Sequence, residues 1–320
     1  MHFAHAAQLP ALTALLTEGR PLPHDCATTR AALYHRLQGY AVRADPASPL
    51  LDAHRQIALS TALVRAQLPD AARVVADAAG EPPVLVKGPA AAALHPSPEL
   101  RAYGDLDLVV PKAQLRLAAT ALQADGWQLS RAPRMGVAGG EPWRGFAEAY
   151  GHELGLGREI GTKAVGLELH WRLVDDPRAN ALDRDVLARG GAALDGAIVP
   201  ATAELLVALA LHLVAHPDRR LAMVQDVALA ARAADVSHAF DVAARHGVAW
   251  ELHLALHAAE RFAGLAVQRS APRPPKPPLG PLRTALWCAP RPVAVHVGRL
   301  AALNGRERLR YMAAGIRSLR

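Results

Sequence analysis

The sequence has few cysteines, lysines and aromatic residues, and it has no long uninterrupted apolar segment. Its two cysteines, Cys26 and Cys288, are too few and too far apart for a disulfide framework or a cysteine-based zinc site. The N-terminus has no basic leader of the secretory type, and the most apolar stretch, residues 201–215, is too short to cross a bilayer. These absences predict a cytoplasmic protein that does not insert into a membrane.

Positive charge is in excess, with a formal net charge of +7 and a pI near 9.9. Clustered arginine and lysine would attract phosphates, so nucleic acid is one partner class that the charge permits. The arginines are scattered, however, and no basic run with interleaved aromatic residues occurs. This distribution favours an ordinary solvated surface over a nucleic-acid groove.

The hydrophobic periodicity divides the chain into three regions. Residues 1–80 have helical spacing, residues 81–199 alternate short strands with helices, and residues 200–320 are helical again, with a proline-rich spacer at 272–278. The 51% hydrophobic composition is enough for a sizeable core. The pattern predicts an α+β fold, in which a small mixed β-sheet core is flanked by N-terminal and C-terminal helical regions.

Short strands and helices are predicted within these regions from periodicity and turn residues. A hairpin is predicted around the turn at Gly161, and residues 131–148 read as an irregular loop. The predicted strands are Val84–Lys87, Asp105–Val110, Trp127–Leu129, Tyr150–Gly157 and Ala164–Leu173. The predicted helices are Pro89–His95, Lys112–Asp125, Ala201–Ala215, Leu221–Ala234, Val242–Ala263 and Ala301–Leu319.

Paired acids stand at the start of one predicted strand. Successive side chains of a strand alternate between its faces, so Asp105 and Asp107 share a face, and so do Glu168 and His170 further along the chain. If the two strands are neighbours, three carboxylates converge. Such a site suits Mg²⁺ or Mn²⁺ and can hold two ions roughly 3.5–4 Å apart. We therefore predict that Asp105, Asp107 and Glu168 are metal ligands.

Other motifs are weaker. His212 and His216 lie four residues apart on one helical face, but the glutamate of a zinc protease is missing, which favours packed histidines. Asp226 is predicted to pair with one of them across a helical hairpin. Gly155 and Gly157 do not continue into a dinucleotide-binding fingerprint, and the chain has no Gly-Lys-Ser/Thr phosphate loop.

Three blocks stand in order along the central region. They are Leu85-Val86-Lys87-Gly88, then Arg101 ahead of Asp105-Leu106-Asp107, and then Leu167-Glu168-Leu169-His170-Trp171. Together they resemble the uncharacterised nucleotidyltransferase family of the DNA polymerase β-like superfamily, over residues 80–260. The resemblance implies a nucleotidyltransferase core that uses a nucleoside triphosphate with Mg²⁺. It also implies transfer of a nucleoside monophosphate to an acceptor that the sequence does not identify, the candidate classes being a peptide, a protein and a small metabolite.

The remaining polar residues of these blocks are predicted to bind the triphosphate. Lys87 and Arg101 lie where cations are needed, and the Gly88 N–H is a further donor. Glu168 is predicted to bind the metal ion that activates the nucleophile and to accept its proton. For His170, the interpretation as a packed, hydrogen-bonded histidine is favoured over a role in orienting an acceptor or a carboxylate.

One position departs from the wider superfamily. The usual Gly-Ser turn offers a hydroxyl and a backbone N–H to the triphosphate, whereas Gly88 is followed by Pro89, which offers neither. The departure supports an alternative function, a catalytically degenerate binding protein of the same fold that acts as an antitoxin-like protein or an adaptor.

Overall fold

The computed structural model describes residues 3–129, 152–174, 182–216 and 218–266. Helices make up most of this part of the chain. They are α1 (Leu9–Glu18), α2 (Cys26–Tyr34), α3 (Gln38–Ala44), α4 (Leu51–Ala66), α5 (Leu68–Ala79), α6 (Pro89–Ala92), α7 (Leu115–Ala124), α8 (Arg184–Ala188), α9 (Thr202–Ala215), α10 (Leu221–Ala233), α11 (Val236–Arg245) and α12 (Ala249–Ala263). Short 3₁₀ turns lie at Ala6–Gln8, Pro98–Leu100 and Lys112–Gln114.

The described strands form one mixed sheet. They are β1 (Val84–Leu85), β2 (Asp105–Val109), β3 (Gln128–Leu129), β4 (Glu153–Ile160), β5 (Lys163–His170), β6 (Ala192–Leu194) and β7 (Ala197–Val199). Their order is β3-β4-β5-β2-β1-β7-β6, with β2 parallel to β5 and β1 parallel to β7. The prediction of an α+β fold with a mixed sheet and flanking helices is confirmed.

Alternation along β2 separates an apolar face from a polar one. Leu106 and Leu108 are fully buried, as are Leu167 and Leu169 on β5, and helices α4 and α7 contact these strands. Burial of one leucine-rich face fixes the register, because a slip by one residue would expose every leucine. Asp105, Asp107 and Glu168 lie on the opposite face of these strands.

The predicted hairpin forms around Gly161, where Ile160 pairs with Lys163. The β6–β7 hairpin was not predicted. Each of its strands has only three residues. Such a segment is too short to display the two-residue alternation on which the prediction relied.

The prediction of one helix over Val242–Ala263 is wrong. The structure has two helices there, α11 and α12, and the first begins earlier, behind the N-cap Asp235. The break lies at Gly247, whose φ of 68° belongs to the left-handed region that glycine adopts without strain. Apolar residues continue across the break, so hydrophobic spacing alone did not reveal it.

Helix α6 is shorter than predicted, since it ends at Ala92 and not at His95. Three other predicted features lie outside the described residues. They are the loop at 131–148, the proline-rich spacer at 272–278 and the final helix at 301–319.

The N-terminal and C-terminal helices pack against each other. The rings of Phe3 and Phe262 meet edge to face at 5.0 Å, and α1 contacts α12. Backbone N–H groups at the start of α10 donate to the ring and to the carbonyl of His35 at 3.2 and 3.3 Å. Within the described ranges, none of the helices combines the length and the apolar character needed to cross a membrane.

Gly39 marks a close approach between α3 and the turn that precedes Arg101. A Cβ atom at this position would lie 2.9 Å from the Cα and 3.1 Å from the carbonyl oxygen of Leu100. We expect Gly39→Ala to lower the free energy of unfolding by about 1–3 kcal/mol, because this backbone contact outweighs the gain in helix propensity. Chemical denaturation measures the change.

The matched control is Gly104→Ala, since a Cβ atom at Gly104 meets nothing within 4 Å. Its unfolding free energy is expected to stay within about 0.5 kcal/mol of that of the parent protein. Equal stability of the two variants would contradict the tight contact between α3 and Leu100.

Candidate metal and phosphate site

Parallel pairing of β2 with β5 brings the acidic residues together. Asp107 lies directly opposite Glu168, and Asp105 lies opposite Gly166. Paired residues of neighbouring strands project to the same face of a sheet. A Cβ atom on Gly166 would lie 3.3 Å from the Cβ of Asp105, so this position has no room for a larger side chain beside the carboxylate.

Lys87 and His170 contact the two facing acids. The Lys87 ammonium forms an ion pair with Asp107 and lies 3.7 Å from Glu168 Oε2. The His170 Nε2 lies 3.1 Å from Asp107 Oδ1 and 3.5 Å from Glu168 Oε2. The four side chains are between 1% and 15% exposed, so these charges interact with little screening by water.

Gly88 forms the turn that follows Lys87. Its φ of 49° and ψ of −113° suit glycine, and a Cβ atom would lie 3.2 Å from the carbonyl oxygen of Asp105. The missing side chain therefore lets this turn lie close to the start of β2. The next residue, Pro89, has no N–H, and the Ala90 N–H donates to the Lys87 carbonyl at 3.0 Å.

The pKa values of the two facing acids are held low. Burial alone would raise the pKa of Asp107, but the Lys87 ammonium and the hydrogen bond from His170 outweigh it. The pKa of Glu168 is also lowered, since the bond from His170 and the charge of Lys87 outweigh its burial. Both groups are therefore carboxylates at neutral pH, as metal ligands must be.

Asp105 behaves differently. Burial, with the like charges of Asp107 and Glu168, raises the pKa of Asp105 to about 6. The pKa of Lys87 is also raised, but for a different reason. The negative charges of the adjacent carboxylates stabilise its ammonium form and outweigh the effect of burial. The three carboxylates of Asp105, Asp107 and Glu168 thus carry more negative charge than Lys87 and His170 can neutralise.

This excess of negative charge fits a divalent cation. One ligand atom from each of Asp107, Glu168 and His170 lies within 4.8 Å of the others. Carboxylate oxygens suit Mg²⁺ or Mn²⁺, and an imidazole nitrogen favours Mn²⁺ of the two. Asp105 lies on the same face of β2 but is not one of this group of three. His170 is buried and hydrogen-bonded to Asp107, as the sequence favoured, and although burial opposes it, its bonds to Asp107 and Glu168 raise its pKa. His170 would have to lose the Nε2 proton before that nitrogen could bind a cation.

Sequence reasoning missed a second group that shares His170. His152 and Glu153 lie within the same 4.8 Å limit of His170, and Glu153 Oε2 is 3.8 Å from its Nε2. The signal was available, because counting back equal steps along both strands from the turn at Gly161 places Glu153 opposite His170.

Arg101 lies beside the carboxylate site but is engaged elsewhere. Its Nε lies 2.8 Å and its Nη2 2.7 Å from carboxylate oxygens of Asp226, and its Nη1 donates to the Ala102 carbonyl. Asp226 also accepts from His95, whose other ring nitrogen lies 2.8 Å from the Tyr40 hydroxyl. The prediction that Asp226 pairs with His212 or His216 is wrong.

The geometry favours packed histidines at the His212–His216 pair. Their rings meet edge to face at 5.2 Å, and neither belongs to a potential metal-binding group in the described part of the chain. Burial lowers the pKa of His212 well below its usual value, and the charge of Lys87 acts in the same direction. His212 is therefore neutral at physiological pH.

Comparison with known proteins identified one family. The model of a family described as uncharacterised nucleotidyltransferase matches residues 27–264. No curated protein and no solved structure matches the chain.

Proposed function

This chain belongs to the uncharacterised nucleotidyltransferase family, and we propose that it transfers a nucleoside monophosphate from a nucleoside triphosphate to an acceptor. One observation carries the proposal. Asp107 and Glu168 face each other on parallel strands, both ionised, with Lys87 and His170 in contact. This combination offers oxygen ligands for a divalent cation and a cation for phosphate at one place.

Asp105, Asp107 and Glu168 are the residues that would hold Mg²⁺ or Mn²⁺, and His170 would join them only once its Nε2 has lost its proton. When bound, the cation neutralises phosphate charge and lowers the pKa of the attacking group. The lowered pKa of Glu168 makes it a weak base, which favours its role as a ligand over that of proton acceptor.

Lys87 and Gly88 would contact the triphosphate, Lys87 through ammonium hydrogens not used by Asp107. For Arg101 we propose a positioning role, because its buried guanidinium is held by the Asp226 carboxylate and the Ala102 carbonyl. Its bond to the Ala102 carbonyl steadies the segment that leads into β2 and so orients Asp105.

Labelled nucleotides test the reaction class. Incubation of the protein with Mg²⁺, a cell extract and each nucleoside triphosphate labelled at the α-phosphate is expected to label an acceptor. The same nucleotide labelled at the γ-phosphate should instead release label as pyrophosphate. Chelation of the metal should stop both signals. Transfer of the γ-label to an acceptor would contradict nucleotidyl transfer and indicate a kinase.

Nuclease and protease treatment of the labelled product identifies the class of acceptor. Loss of label with nuclease indicates a nucleic acid, which the scattered charge does not favour, and loss with protease indicates a peptide or protein.

The alternative is the degenerate binding protein, and the Gly88-Pro89 turn favours it. Pro89 has no N–H and the Ala90 N–H is already bonded, so this turn offers few donors to phosphate. Calorimetry with each nucleotide in Mg²⁺ separates the two functions. Metal-dependent binding without any transfer of α-label supports the adaptor, whereas binding with transfer supports the enzyme.

A further inference from the structure

Two half-buried arginines, Arg36 and Arg220, lie near the carboxylate site without an acidic partner. Among the residues that the structure describes, no ion pair joins either guanidinium to a carboxylate, and the buried Arg220 Nε has no hydrogen-bond partner. Buried charges and buried polar atoms are normally paired in folded proteins. These arginines therefore hold positive charge that no ion pair compensates in the described part of the chain.

Both arginines belong to the corner between α2 and the start of α10. Arg36 follows α2 in a corner that is tied to the start of α10 by the hydrogen bonds to His35. The Arg220 guanidinium lies 5.9 Å from the centre of the Tyr34 ring. Arg36 itself has a φ of 57°, a left-handed conformation that L residues rarely adopt and that is found more often at ligand sites.

Helix α10 connects this corner to the carboxylate site, because Arg220 precedes α10 and Asp226 of the same helix holds Arg101 just ahead of β2. The pKa of Arg36 falls to about 10, chiefly through burial and then through the charges of Arg220 and Arg101, while Asp105 and Asp226 oppose the shift. Arg36 in turn lowers the pKa of Asp105. The directions of these pKa shifts agree with a location of Arg36 near the start of α10 and near Asp105.

The cations predicted from the sequence are already occupied. Lys87 pairs with Asp107, and Arg101 pairs with Asp226. Pro89 also removes a phosphate contact from the turn. Beyond the Lys87 ammonium hydrogens that Asp107 does not use, a triphosphate at this site therefore needs donors from elsewhere in the fold.

We propose that Arg36 and Arg220 form an anion subsite that binds the triphosphate tail of the nucleotide beside Asp105. This inference rests on the proposed nucleotidyl transfer, which supplies the triphosphate. Guanidinium groups donate paired hydrogen bonds to phosphate oxygens, and the Tyr34 ring supports the Arg220 guanidinium. A bound triphosphate compensates both charges and replaces the contacts that Pro89 cannot make.

Binding of inorganic tripolyphosphate in metal-free buffer with EDTA tests the subsite. Calorimetry is expected to show binding to the parent protein and about 10- to 100-fold weaker binding to Arg36→Gln and to Arg220→Gln. Arg30→Gln, which changes an exposed arginine of α2, is the matched control and should bind as the parent does. No binding by the parent, or unchanged binding by both Arg36→Gln and Arg220→Gln, would overturn the proposal.

A second measurement needs no variant and so does not depend on whether a variant folds. Phenylglyoxal modifies accessible arginines, and mass spectrometry locates each adduct. Tripolyphosphate should protect Arg36 and Arg220 but not Arg30. Equal modification of Arg36 and Arg220 with and without tripolyphosphate would count against the subsite.

Competition and kinetics separate this proposal from the proposed function. A nucleoside triphosphate should displace tripolyphosphate, and simultaneous binding of both would overturn the assignment to the nucleotide tail. Transfer of α-label with an unchanged KM for nucleotide in both glutamine variants would defeat the subsite alone. Intact tripolyphosphate binding with no transfer under any condition would defeat nucleotidyl transfer alone.

Discussion

Asp107→Asn is expected to abolish divalent-cation binding at the site and, with it, the transfer of α-label. Asp107 contacts both Lys87 and His170 and faces Glu168, so it lies at the centre of the charge arrangement. Loss of a residue that only orients a metal ligand costs about 10- to 100-fold in affinity or activity. The loss of a ligand itself should exceed that range. Mn²⁺ binding, followed by electron paramagnetic resonance, measures the effect without any acceptor.

The control for this variant is Glu159→Gln, which removes an exposed carboxylate from β4 of the same sheet. It should bind Mn²⁺ as the parent does, because long-range charge effects at an exposed position are screened. Thermal melting checks that Asp107→Asn is folded. If folded Asp107→Asn binds Mn²⁺ with the parent's affinity, the cation site must lie elsewhere.

Asp226→Asn is expected to have the largest effect on stability. Asp226 is 2% exposed and accepts hydrogen bonds from Arg101 and His95, so its neutralisation leaves a buried guanidinium without its counter-charge. Breaking a buried pair in this way costs about 3–5 kcal/mol. Chemical denaturation at neutral pH measures the loss. Asp241→Asn, at an exposed position of α11, is the matched control and should be within about 0.5 kcal/mol of the parent.

The pH dependence provides a further check on this pair. Although burial opposes it, the charge of Arg101 and the bond from His95 lower the pKa of Asp226 below its usual value. Its stabilisation is therefore fully present above the unfolded pKa of about 3.9 and is lost as the pH falls through the lower folded value. The stability difference between parent and Asp226→Asn should narrow below about pH 4. A difference that stays constant down to the lowest measurable pH would contradict the ion pair.

Much of the sheet was predictable from local pattern. Alternation placed Asp105 and Asp107 on one face of β2, and the turn at Gly161 predicted the β4–β5 hairpin. Both rest on interactions between residues that are close in sequence, or paired through a tight turn, so a single sequence reports them. The helix break at Gly247 was missed because hydrophobic spacing continues across it.

The candidate site was only partly predictable. The three carboxylates and Lys87 were identified, because motif spacing and strand alternation point to them. The partner of Arg101 was not identified. Asp226 is 125 residues away from Arg101, and nothing in the local sequence specifies the pairing. Arg36 and Arg220 could not be predicted as site residues either, because no motif distinguishes them from the many other arginines of this chain.

The sequence by itself determined that the chain builds a sheet with two acids on one strand face, a lysine-glycine turn before it and helices around it. These features depend on side-chain alternation and turn chemistry over a few residues. Tertiary structure decided that Glu168 and His170 meet Asp107, that Arg101 pairs with Asp226, and that the corner carrying Arg36 is bonded to the start of α10. The physical reason is that burial and long-range packing choose among partners that local chemistry leaves equivalent.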